Sequence, residues 1–229
     1  MSITNKLLRS REVILNMLDT RGYDVNKYFN YTVNEIDIMY RNTPAKAIEK
    51  VCPLDIYTQN TSEINPHNVY LKYILNPKIR IQAILQAIKL IIPSIDLDDD
   101  IASSENPDML KKNDVLILII SDKLSNTELL DNYLNGYYLK TGIFIQVFWI
   151  NSLQITITEH EFVPQHRVLD IIEKQTILEK FNIQNFSQLP IILQNEPVAK
   201  YYGMKKGDVC EITRSSETSG EYVVYRYCQ

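Results

Sequence analysis

Histidines and clustered carboxylates are the first residues here whose types could do chemistry. His160-Glu161 with His166 offers the side chains of a zinc protease, which needs two histidines four apart on a helix so that both face one metal. In this chain they stand six apart with Pro164 between them, and they read as loop residues. Asp96, Asp98, Asp99 and Asp100 supply oxygen ligands of the kind Ca²⁺ takes. No glycine sits where an EF-hand loop turns and no glutamate closes it, so a solvated acidic loop is expected. Asp55, Glu63 and Lys72 fall near strand-like segments, as the carboxylates and lysine of a metal-dependent nuclease would. They keep that activity as an alternative. Ser215, Ser216 and Thr218 have no histidine–aspartate partner set and no GxSxG, and neither GxxxxGK[ST] nor GxGxxG occurs. Lys206-Gly207-Asp208 is only a turn. No catalytic residue, metal or cofactor is expected.

Two further sets carry weaker chemistry. Cys52, Cys210 and Cys228 are odd in number and lack CxxC spacing; with no signal peptide visible they read as reduced thiols of an intracellular protein. Tyr201, Tyr202, Lys205 and Lys206, then Tyr222, Tyr225, Arg226 and Tyr227, interleave aromatic and basic groups that could stack bases. Alternating tyrosines on a hairpin more often pack across strands.

These residues depend on the elements that hold them. Leu7, Leu8, Arg11, Ile14, Leu15 and Leu18 share one face of a helix over Thr4–Leu18, and Gly22 closes it. Leu54–Tyr57 and Val69–Leu75 alternate as strands do. Helical spacing returns over Ile79–Ile92 and stops at Pro93. Ser94–Asp114 is acidic, then rich in Ser, Asn and Pro, and reads as an exposed insertion. Val115–Ile120 is apolar throughout, as a strand buried on both faces requires. Leu124–Leu134 is a helix starting near Ser125 or Thr127. Ile143–Ile150 and Leu153–Thr158 are expected as strands joined by a turn or bulge at Asn151-Ser152. Strands alternating with helices imply an α/β layer arrangement.

Beyond Glu159 the pattern changes. Asp170 caps a helix to Phe181, with Ile171, Ile172, Ile177, Leu178 and Phe181 toward the core. Leu189–Leu193 is a strand. Asn195 caps a short helix with Pro197 in its first turn, and Gly203 ends it. Val209–Arg214 and Tyr222–Tyr227 form a hairpin around Ser215–Glu221, with Gly220 near the loop's end.

Composition bounds the function. The chain has 229 residues, 45% hydrophobic and 23% charged, as a globular protein of one or two domains has. Its net charge is −4. Residues 1–146 hold 16 Lys+Arg against 18 Asp+Glu, and residues 147–229 hold 8 against 10. Neither half has the basic excess of a protein that holds nucleic acid alone. No apolar run reaches the ~18 residues of a membrane span, so no membrane partner is expected. Many Ile, Asn, Lys and Tyr residues beside only 6 Gly point to an AT-rich genome.

Ile157–His166 (ITEHEFVPQH) and Leu189–Arg226 (LPIILQNEPVAKYYGMKKGDVCEITRSSETSGEYVVYR) resemble the shared fifth subunit of eukaryotic nuclear RNA polymerases. The archaeal counterpart in that family corresponds to the C-terminal part alone. The likeness runs nearly without gaps from Phe148 to the end. More thinly, Asp19–Tyr23 (DTRGY), Val69–Leu90 with Asn76-Pro77-Lys78, and Val115–Ile120 with the following helix resemble its N-terminal domain. The 94–114 loop is extra.

The resemblance implies an α/β jaw domain over residues 1–158, similar in topology to restriction endonucleases but not a nuclease, and a small α+β assembly domain over 159–229. It implies no catalytic centre, since nucleotide addition belongs to the two largest subunits. The partners implied are the largest polymerase subunit, the other subunits, and downstream DNA nearby. Docking would use Glu159, His160, Pro164 and His166; then Pro197, Gly203, Lys205 and Gly207; then Arg214, Glu217, Thr218, Gly220, Tyr225 and Arg226. Turns fixed at Gly203, Gly207 and Gly220 limit the ordering cost of binding. Arg214, Glu217 and Arg226 have the chemistry for charge-assisted bonds to a partner; Glu217 has the alternative of pairing with Arg214 or capping its own loop. Glu221 departs from the family's usual basic residue at that place. Sequence drift and AT-rich composition suggest a large DNA virus polymerase, located in a virion or virus factory, with a nuclear protein of an AT-rich protist as the alternative.

Overall fold

A computed structural model describes residues 2–43, 52–61, 66–76, 79–92, 110–125, 127–216 and 220–229. Most of the acidic segment, including Asp96, Asp98, Asp99 and Asp100, lies outside the described residues, as do Glu63, Glu217 and Thr218. The chain divides into two compact units, Met1–Gln154 and Ile155–Gln229.

The first unit starts with α1 (Ile3–Thr20), whose first turn is capped by the Ser2 hydroxyl accepting from Asn5 N. Gly22, at φ +84°, and the bond from Tyr23 N to Leu18 O close its far end. Helix α2 (Val33–Arg41) fills a stretch with no clear sequence signal; its start is a reciprocal capping box between Thr32 and Glu35. The sheet runs β1 (Ile56–Gln59), β2 (Asn68–Ile74), β3 (Val115–Ile120), β4 (Phe144–Trp149) in spatial order. Strand β1 is antiparallel to β2, and β2, β3 and β4 are parallel. Helices α3 (Ile81–Ile91) and α4 (Thr127–Thr141) make the connections that parallel neighbours require. Leu116, Leu118 and Ile120 of β3 and Ile145 and Val147 of β4 pack with Ile84 and Ile88 of α3 and Leu130 and Leu134 of α4. Every side chain of β3 is buried.

One expected strand is absent. Leu153–Thr158 holds 3₁₀ turns at Ile150–Leu153 and Ile157–Glu159 instead. Polar side chains take over the backbone there: the Ser152 hydroxyl donates to Trp149 O, and Gln154 Nε2 donates to Ile150 O and Lys6 O.

The second unit is a sheet of order β5 (Gln165–Val168), β7 (Val209–Ser216), β8 (Gly220–Cys228), β6 (Ile191–Ile192). All its pairs are antiparallel except β8 with β6. One face packs Cys210, Ile212, Cys228 and Ile192 against Ala199 and Met204 at helix α6 (Pro197–Tyr201). The opposite face packs Val209 and Tyr225 with Leu169 and with Ile177 of α5 (Ile171–Phe181).

Three expectations are corrected here. Asp170 does cap α5, in a box with Glu173, but Ile171 and Ile172 are 76% and 75% exposed and Phe181 is half exposed. The helix meets the sheet along the line of Ile177, and six residues of a 3.6-residue spiral carry the first-turn isoleucines to another side. Glu196, not Asn195, occupies the cap position of α6, with its carboxylate accepting from Leu193 N at 3.1 Å. The final strands extend to Ser216 and from Gly220, so the hairpin loop is shorter than Ser215–Glu221.

Candidate partner-docking surface

The segment before β5 presents its side chains outward. Two short bonds, His160 N to Ile157 O and Val163 N to His160 O, fold it tightly. Glu159 and His160 are exposed, and Phe162 is 84% exposed with its ring tilted against His160. Pro164 turns the chain into β5, and its carbonyl accepts from His166 Nδ1 at 2.7 Å. The His166 ring stacks on Tyr202 at 6.2 Å between centroids, so this segment meets the end of α6. Pro197 begins that helix and is exposed. Gly203, at φ +65°, ends it, with Met204 N reaching back to Ala199 O.

The next turn is built around one carboxylate. Asp208 accepts from Lys205 N at 2.7 Å and from Lys174 Nζ at 2.8 Å, which ties the turn to α5. Gly207, at φ +95°, donates its N–H to Cys228 O. Burial lowers the proton affinity of the Lys205 ammonium, against the pull of Asp208. Lys205 is therefore partly a structural residue.

Strand register decides which hairpin residues share a face. Cys210 lies opposite Arg226, Ile212 opposite both Val224 and His166, and Arg214 opposite Tyr222. Side chains alternate along a strand, so Arg214, Arg226 and His166 stand on the α6 face. Tyr225 does not join them. It is buried on the α5 face, its hydroxyl donating to Glu211 at 3.1 Å and its ring edge-on to Phe181. Gly220 and Glu221 are exposed at the hairpin end. Arg167 and Glu211 carried no sequence signal for function; they pair across β5 and β7, and Arg167 also reaches Glu173 at 2.6 Å. The signal was available only as register.

Among the described residues, none of the sets considered for catalysis assembles. His160 and His166 make separate local bonds. Burial pushes Cys210 up to about 11 and Cys228 up to about 12, so both are neutral thiols at pH 7. In the first unit, Asp55 and Lys72 form a buried ion pair. No group of three or more metal-ligating side chains is placed around one point among the described residues.

Residues 155–228 match the family RNA polymerase Rpb5, C-terminal domain. Subunit rpabc1 of DNA-directed RNA polymerases I, II and III from Dictyostelium discoideum is 28% identical over 224 residues, 98% of each chain. The chain is a homologue of RNA polymerase subunit 5 along its whole length. DNA-directed RNA polymerase subunit 5-like protein 1 of Arabidopsis thaliana agrees, at 27% identity over 97% of this chain and 95% of that one. Subunit RPABC1 of Caenorhabditis elegans is 47% identical over 75 residues, 33% of this chain and 35% of its own. The surface carrying Glu159, His166, Pro197, Arg214 and Arg226 thus lies within the Rpb5 C-terminal domain, and the unit of β1–β4 belongs to the more divergent remainder. Among the described residues no helix is long and apolar enough to cross a membrane.

Proposed function

We propose that this chain is a non-catalytic structural subunit of a multisubunit DNA-directed RNA polymerase. Its C-terminal unit docks on the largest subunit, and its N-terminal unit forms a jaw of restriction-endonuclease-like topology beside downstream DNA. The observation that carries the reading is homology to RNA polymerase subunit 5 over 98% of the chain. The second unit supports it: bonds from His160 N and Val163 N hold the segment that exposes Glu159, His160 and Phe162, and Asp208 and glycines at positive φ fix the turns elsewhere on the surface, which limits the ordering cost of binding. The acting residues of that surface are Glu159, His160, Pro164, His166, Pro197, Gly203, Gly207, Arg214, Gly220 and Arg226. A nuclear location is in keeping with its eukaryotic relatives.

The nuclease alternative gains nothing from the geometry, because Asp55 and Lys72 are closed inside the first unit. Affinity purification of the tagged full-length chain from transcribing cells tests the reading. Recovery of the two large catalytic subunits is expected; recovery only as a free monomer would overturn it.

A further inference from the structure

We draw no further inference here: the strongest candidate, the outward face of α4 that carries exposed Leu129, Tyr133 and Leu139, is an unpartnered apolar helix face, and nothing in the structure shows what covers it.

Discussion

Asp55 and Lys72 face each other inside the N-terminal unit, 3.6 Å apart, with 2% and 3% of their side chains exposed. Asp55 also accepts from Cys52 N at 2.9 Å, Tyr73 N at 3.1 Å and the Tyr70 hydroxyl at 3.0 Å. It is the pin joining the approach to β1 with the middle of β2. Burial pushes its carboxyl above the ordinary range, against the pull of these donors and Lys72. Lys72→Met leaves a buried carboxylate without its cation, at a cost of about 3–5 kcal/mol. The sign with pH follows from which form is penalised. The cost falls on the ionised acid, so the loss is largest at neutral pH and shrinks as the pH falls and Asp55 takes a proton. Urea unfolding of both proteins at pH 7 and pH 5 checks this.

Asp114 has the same role at the head of β3. It is 3% exposed and accepts from Asn68 N and Lys111 N, each at 2.7 Å. Asp114→Ala removes two charge-assisted bonds at about 1.5–3 kcal/mol each. Lower stability is expected, together with faster hydrogen exchange at the amides of Asn68 and Lys111. Unchanged exchange at both would show that other acceptors replace the carboxylate.

Gly220 stands at φ +72° where the final hairpin re-enters β8, and among the described residues an added Cβ would meet nothing within 4 Å. Gly220→Ala therefore costs only the left-handed backbone, about 1–2 kcal/mol. Gly220→Asn should lose less, since asparagine tolerates that region better. Thermal melts of the three proteins rank them.

His166 makes the second unit sensitive to mild acid. Burial foremost, then Arg214 and Arg226, hold its imidazole below 6.5 in the folded chain. The unfolded chain takes up the proton first, so this stability is complete above about pH 6.5 and is lost progressively as the pH falls below it. His166→Gln, which does not titrate, is expected to flatten the dependence of the melting temperature between pH 7.5 and 5.5. Parallel curves for the two proteins would remove His166 as the cause.

Much of the fold was legible in the chain. Alternation and unbroken apolar runs marked β2, β3 and β4, and 3.6-residue spacing marked α1 and α3, because burial on one or two faces imposes those periods. Asp170 and Gly22 were readable as helix ends because caps use local backbone chemistry. Leu153–Thr158 and the first turn of α5 were misread for a shared reason. An apolar residue states that something can be buried, not where its neighbours are, and Ile171 and Ile172 are apolar and exposed.

By itself the sequence determined most of the element types and the likeness to RNA polymerase subunit 5, since both rest on residue identity at short spacing. Register decided the rest. One residue of shift along a strand moves a side chain to the opposite face. Arg226 and Tyr225 are neighbours in the chain, yet one stands on the α6 face of the sheet, as Arg214 and His166 do, and the other is buried against α5. Only the pairing of β5, β7 and β8 separates the candidate partner contact from the core.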